Sequence, residues 1–396
     1  PPGAVESEHP VSTKLRHGNT HRLMAATTAA MIGMGLVMVL SASSVEAFKT
    51  YGSSFLFFRK QLVGAVVGLL ALLGLSRFDY RRLRKVARPL FWLTLAGLVA
   101  ALIPGIGVSG GGSSRWLAFG PVTVQPSELA KLSLILVSAH LLERKGGYVG
   151  DMRELSIPVM PMTVLACLLM VAQPDLGTSI ITVAAVLAVL YLAGARVRHL
   201  GALLSLGTVA AAGLILTQGY QRARFASYLN PWADPLKGGY QIIQGQIALG
   251  SGGWFGVGLG ASRQKWSYVP NAHTDFIFAI IGEELGLIGT LLVLGAFAFF
   301  CYLGIRIARE APDRFGFLVA GGITAWIGIQ AVINIGAVTG MLPITGVPLP
   351  MISFGGTSLV LTMAGIGILL SIARRGRPPG APAGIPAGIP GGEADP

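Results

Sequence analysis

Short polar motifs interrupt a mostly apolar chain, and several hold residues able to do chemistry. His273 and Asp275 stand two apart in PNAHTDF, directly before a long apolar run. A carboxylate there can take a proton from a hydroxyl as a general base. The same position suits an acid that caps a helix and meets its positive end. His273 offers a second acid or base, a metal ligand, or a local hydrogen bond. Glu128 and Lys131 lie three apart in PSELAK, on one helical face, where they can pair. Alternatively Lys131 presents positive charge to an anionic substrate, joined by Arg115 from GGSSRWLAFG. Glu283 and Glu284 fall about two turns into the run after Asp275, so at least one faces the protein interior.

These groups must be held by elements that live in lipid. Hydrophobic residues make up 53% of the 396 and charged residues 12%, with a mean hydropathy of +0.66, more than a soluble domain needs. Ten stretches approach the roughly 20 apolar residues of a membrane span. They are 23–43, 61–75, 89–107, 127–142, 157–172, 178–194, 200–217, 276–305, 315–339 and 351–372. The expected fold is therefore an all-α integral membrane protein of about ten transmembrane helices, with one large outward loop, 218–275, between spans 7 and 8. Its parts are a cytoplasmic segment 1–22, a membrane domain 23–375 and a disordered Pro/Gly-rich tail 376–396. The connections on the side of the termini carry 20 Lys and Arg, against 9 on the other side, which puts both termini in the cytoplasm.

The long loop holds Trp232, Trp254 and Trp266, three of six tryptophans, as expected of a segment at the lipid headgroups. Within it, seven glycines in sixteen residues (GQIALGSGGWFGVGLG) suit close packing of backbone in the membrane, or an approach of amides to a phosphate. The segment does not match GxGxxG, and no GxxxxGK[ST] occurs in the chain, so neither dinucleotide nor ATP binding is indicated. Gln330 and Asn334 stand at i,i+4, and PITGVPLPMISFGGTS breaks the helical pattern before the last run. Non-helical backbone at that depth is tolerated where it lines a cavity, so a polar, outward-opening cavity is expected. The net charge of +13 is spread over short loops, which fits anionic lipid and excludes a nucleic-acid face. Cys167 and Cys301 lie in apolar stretches without a motif and imply neither disulfide nor metal.

Separated motifs along nearly all of 23–375 resemble the SEDS family (FtsW, RodA, SpoVE): GLVMVLSASS, RWLAFGPVTVQPSELAK, QPDLGTS, GYQIIQGQIALGSGGWFGVGLGASRQKWSYVPNAHTDFIFAIIGEELGLIG and NIGAVTGMLPITGVPLPMISFGGTS. SASSVEA and YVPNAHTDFIFA are more similar to the division branch, FtsW, than to the elongation branch, RodA. Phe354 stands where the family more often has Tyr. The resemblance implies a peptidoglycan glycosyltransferase that polymerises lipid II at the outer face of the cytoplasmic membrane, during division. It implies a class B penicillin-binding protein and other division proteins as partners. It places the family's essential aspartate on Asp275 and its intramembrane acid and lysine on Glu128 and Lys131. A lipid diphosphate leaves without a proton if its charge is offset, by Lys131, Arg115 or a divalent cation such as Mg2+ or Mn2+, so one base suffices. Arg115, Glu128, Lys131, His273 and Glu283 are the expected substrate-binding residues. Ten spans around a polar cavity equally suit the alternative, a flippase of a lipid-linked precursor.

The charge asymmetry sets a topology test. Single cysteines introduced in 218–275 should react with an impermeant thiol reagent from outside, and those in 77–88 only after the membrane is opened. Reaction of both from one side would overturn the topology.

Overall fold

A bilayer leaves backbone N–H and C=O groups no partners but one another, and the chain answers with helices. The computed structural model describes residues 11–110, 113–120, 122–145, 156–217, 219–266 and 268–376. Residues 1–10 of the expected N-terminal segment and 377–396 of the expected tail lie outside these. Each apolar stretch falls on a helix. In chain order these are α1 (Val11–Tyr51), α2 (Leu56–Arg77), α3 (Leu83–Leu102), α4 (Pro126–Leu142), α5 (Met160–Ala172), α6 (Leu176–Leu192) and α7 (Val197–Thr217). After the long connection come α10 (Ile277–Arg309), α11 (Arg314–Val338) and α12 (Gly356–Arg374). Seven of them, α1, α2, α3, α7, α10, α11 and α12, are long and apolar enough to cross a membrane by length and composition. Helices α4, α5 and α6 are shorter, at 17, 13 and 17 residues. Helix α1 is described from Val11 onward, within the segment expected to precede the first span.

Two features depart from the all-α reading with one long loop. Strands β1 (Gly107–Gly110), β2 (Ser113–Phe119) and β3 (Val122–Val124) form an antiparallel sheet between α3 and α4. Leu117 pairs with Val124 and Phe119 with Val122 around a turn at Gly120, whose φ of 63° favours glycine. The 218–275 connection is itself partly helical, with α8 (Gly219–Leu229) and α9 (Tyr240–Ser251). A scan for long apolar runs passes over both features, because neither is long or uniformly apolar.

Helices α4, α11 and α12 lie at the centre, while α7 buries none of its side chains. Helices α2 and α12 touch backbone to backbone: a Cβ on Gly367 would sit 2.7 Å from the Leu72 carbonyl oxygen. Small residues permit such approach where lipid offers no hydrophobic drive between helices. Hydrogen bonds from Phe354 N to the His273 carbonyl (2.9 Å) and from Gln125 N to Thr357 Oγ1 (3.3 Å) gather the starts of α4, α10 and α12 at one end. At the opposite end Ser371 Oγ donates to Phe78 O (2.6 Å), Tyr80 Oη to Asp313 Oδ2 (2.9 Å), and Arg84 Nε meets Glu143 Oε2 (2.9 Å).

Helix α10 is broken at Gly286, with φ 66° and ψ −164°. The glycine-rich strip after α9 docks into the break. Val257 N and Gly258 N donate to the carbonyls of Glu283 (2.9 Å) and Glu284 (3.1 Å), while Leu287 N and Ile288 N donate to Gly253 O (2.9 Å) and Trp254 O (3.2 Å). The glycines thus serve packing: the Val257 and Gly258 amides that might have met a phosphate are bound to helix carbonyls. That φ/ψ region is open essentially to glycine alone, and a Cβ on Gly286 would sit 2.4 Å from Gly256 N. Gly286→Ala should therefore cost at least about 2 kcal/mol, combining backbone strain with the clash. Gly295→Ala, in the same helix with nothing within 4 Å of its Cβ, should be neutral or mildly stabilising. Thermal unfolding of both variants in detergent checks this, and equal melting temperatures would refute it.

Candidate functional site

The turn 271–276 that delivers the chain to α10 carries Asp275, which is 8% exposed. Thr274 Oγ1 donates to Asp275 Oδ1 at 3.0 Å. The Asp275 backbone carbonyl accepts from Asn334 Nδ2 of α11 at 2.8 Å, and the same amide donates to Val347 O at 2.8 Å. The alternative reading of Asp275 as a helix cap is not realised, since the N-cap of α10 is Phe276 and no side chain caps it. Burial pushes the Asp275 carboxyl above the usual carboxylate range, partly offset by the Thr274 hydroxyl, its own backbone N–H, and the charges of Arg224 and His273. A carboxylate so placed is a stronger base than an exposed one. Arg224 of α8, not singled out from sequence, is the cation whose charge Asp275 feels, and its Nη2 lies 3.5 Å from where Gly346 would carry a Cβ.

His273 sits in an aromatic enclosure. Its ring centroid lies 4.5 Å from Phe57 and 5.5 Å from Phe354, and those two rings are 5.2 Å apart at 77°. Its Nδ1 is 3.2 Å from Glu46 Oε2 of α1. Phe354, where the resemblance more often has Tyr, fills this enclosure without a hydroxyl. Among the described residues no three His, Cys, Asp or Glu side chains gather as a metal-holding group. His273 and Asp275 belong to no three-ligand group of described residues, so a Mg2+ or Mn2+ here would be held chiefly by the phosphates of a substrate.

The other expected site residues are put to different use. Lys131, read as a charge for an anionic substrate, is fully buried. Its Nζ donates to Glu128 Oε1 (2.9 Å) and Gln330 Oε1 (2.8 Å) and lies 5.1 Å from the Trp326 ring centroid. Trp326 Nε1 also donates to Gln330 Oε1 (2.9 Å), and Gln330 Nε2 donates to Pro348 O (2.9 Å). Arg115 does not join Lys131: its Nε donates to Gln173 O (3.0 Å), its Nη2 to Pro174 O, and its Nη1 lies 3.8 Å from Asp175 Oδ1. Glu283 binds its own chain, accepting from Ser262 Oγ and Arg263 N (2.9 Å), and Glu284 accepts from Ser41 Oγ (2.6 Å) with Lys265 Nζ at 3.4 Å. Asp275 and His273 thus share the turn before α10, with the Arg224 charge felt at Asp275, while Glu128, Lys131, Glu283 and Arg115 hold other elements of the bundle. Gln330 and Asn334, expected to line a polar cavity, are the links: one holds Lys131 and Pro348, the other Val347 and Asp275.

Removing one partner of a buried ion pair leaves an uncompensated charge, at a cost of about 3–5 kcal/mol. Glu128→Gln and Lys131→Met should each lower the melting temperature of the purified protein, and the double variant should recover most of the loss. If the double variant were as unstable as the two losses added, the pair would not be acting as a unit.

The comparisons with known proteins agree with this architecture. Residues 21–377 match the FtsW, RodA and SpoVE family, described as cell cycle proteins. Stage V sporulation protein E of Bacillus subtilis is 42% identical over 355 residues, covering 90% of this chain and 97% of the relative. The probable peptidoglycan glycosyltransferase FtsW of Mycobacterium tuberculosis is 44% identical over 352 residues, covering 89% and 67%. Among solved structures, a chain from work on the structural coordination of polymerization and crosslinking by a peptidoglycan synthase complex superposes with a TM-score of 0.74. It is 30% identical, over 89% of this chain and 97% of that one. With a family match over most of its length, this chain belongs to the FtsW, RodA and SpoVE family of cell cycle proteins.

Proposed function

We propose that this chain is a peptidoglycan glycosyltransferase that polymerises lipid II, with Asp275 as the general base. It is a multi-pass membrane protein, with seven apolar helices and membership of the family on its side. The observation that carries the reading is the buried carboxylate of Asp275, held by Asn334 at the end of the bundle where the broken segment 343–355 meets α10. By the charge asymmetry that end faces outward, where no nucleotide is on hand and a lipid-linked donor is.

In the reaction, Asp275 takes the proton of the acceptor sugar hydroxyl as that oxygen attacks the donor's anomeric carbon. The bond from that carbon to the lipid diphosphate breaks on the opposite face, so an α-linked donor yields a β-linked product in a single displacement. The diphosphate departs with its electron pair and needs no proton, provided cationic charge meets it. We assign that charge to Arg224 or a divalent cation, placed on the leaving-group side of the sugar rather than on the side of the base. The related peptidoglycan synthase complex supports a protein partner. We assign the crosslinking role to a class B penicillin-binding protein, and the place of action to the division septum, with both termini cytoplasmic.

Asp275→Asn keeps the shape but cannot accept a proton, so polymerisation of purified lipid II in detergent, partner present, should fall about 100- to 10,000-fold. Because burial raises this carboxyl in the folded state above its unfolded value, its ionisation opposes folding as pH rises through that interval. The Asn variant should therefore melt no lower than the parent at neutral pH. Activity of the parent should rise with pH along a limb lying above the ordinary Asp value of about 3.9. Near-normal polymerisation by the variant would sink the base assignment. A parent that moves lipid II across vesicles but never elongates it would instead establish the flippase.

A further inference from the structure

At the end of the bundle opposite Asp275, the first turns of α3 and the last turn of α4 enclose a cavity of about 610 Å3, lined by Arg84, Lys85, Arg88, His140, Glu143 and Arg144 together with Pro89. Its acid is already engaged. Glu143 meets Arg84 Nε at 2.9 Å and His140 Nδ1 at 3.1 Å, and Arg84 Nη2 also reaches Asp313 at 3.3 Å. Lys85, Arg88 and Arg144 are exposed, and none forms an ion pair with a described residue. Three cations without an ion-pair partner among the described residues therefore surround one concavity. The start of α3 adds the positive end of its dipole to them.

The flank of α3 beside the cavity says what kind of anion fits. Arg88 and Trp92 stand one turn apart, with Trp92 62% and Leu93 64% exposed. An exposed indole one turn from basic side chains marks the level where headgroup meets acyl chain. A ligand whose charge entered the cavity would lay its apolar part along Trp92 and Leu93. Three separated cations in that volume are more than one phosphate can satisfy.

We propose that this cavity binds the headgroup of an anionic phospholipid carrying two phosphodiesters, of the diphosphatidylglycerol type, from the cytoplasmic leaflet. The leaflet rests on the topology given above; the site itself does not depend on the proposed reaction. Basic pockets between helices on the cytoplasmic side are suited to such headgroups. Asp275 and its neighbours at the far end take no part.

The test is native mass spectrometry of the full-length protein in detergent, titrated separately with diphosphatidylglycerol and phosphatidylcholine. Diphosphatidylglycerol should bind the parent about 10- to 30-fold more tightly than it binds the Arg88→Gln/Arg144→Gln variant, while phosphatidylcholine binds both weakly and alike. Both positions are exposed and form no ion pair with a described residue, so the variant should melt with the parent, and the single variants give intermediate affinities if the double one does not fold. Unchanged diphosphatidylglycerol affinity in the variants would overturn the proposal. Displacement of the lipid by inorganic phosphate at equal concentration would also overturn it, assigning the pocket to a free anion. The Asp275→Asn variant should keep full lipid affinity, which separates failure here from failure of the catalytic reading.

Discussion

An ammonium ion cannot be left bare inside a protein in lipid, and satisfying Lys131 organises the polar core of this molecule. The desolvation of such a group costs several kcal/mol unless its partners are close and well aimed. Glu128 supplies the counter-charge from one turn away, the Trp326 face lies beside the ammonium, and Gln330 accepts its second hydrogen bond. With its carbonyl so used, Gln330 has its amide left to give, and it gives it to Pro348 in a segment that has no helix to satisfy it. One turn along α11, Asn334 repeats the arrangement, tying Val347 to the backbone of Asp275. The position of the proposed base is thus fixed through α11 by contacts that begin at a buried lysine on α4.

A second network does the same for the small sheet. Asp175 caps α6 and accepts from Ser127 (2.8 Å) and Gln125 (3.2 Å), while Arg115 reaches across from β2 to the carbonyls beside it. Thr357 at the start of α12 donates to Thr123 O at 3.0 Å and accepts from Gln125 N. Few polar side chains near this end are idle, and most hold backbone that departs from the helix. A site built on such braced elements keeps its reacting groups within the tolerance that catalysis requires.

The helices were legible because lipid imposes one length and one composition on them, and each apolar stretch of the sequence lies on a helix. The sheet and α8 and α9 were hidden, since short elements take their stability from tertiary neighbours rather than from periodicity. Residue types at the site were also legible: Asp275, His273, Glu128 and Lys131 drew notice as costly groups in an apolar chain. Their partners did not. Spacing foretold the Glu128–Lys131 pair, three residues apart, but could not foretell Gln330, 199 residues away, or the capture of Arg115 by 173–175. Arg224 was one cation of several in a long connection, and only the fold lets its charge act on Asp275.

The interlock at the break in α10 bears on how this sequence can change over time. A Cβ on Gly256 would sit 2.2 Å from the Glu284 carbonyl, and one on Gly286 would meet Gly256 N in return. Each glycine is required by the backbone of the other's segment, and both sit at positive φ. Replacing one glycine does not relieve the contact that opposes replacing the other, so each single step carries its full cost. Change in this region is therefore less costly at the side chains flanking the crossing than at this pair of glycines, whose two segments would have to be rebuilt together.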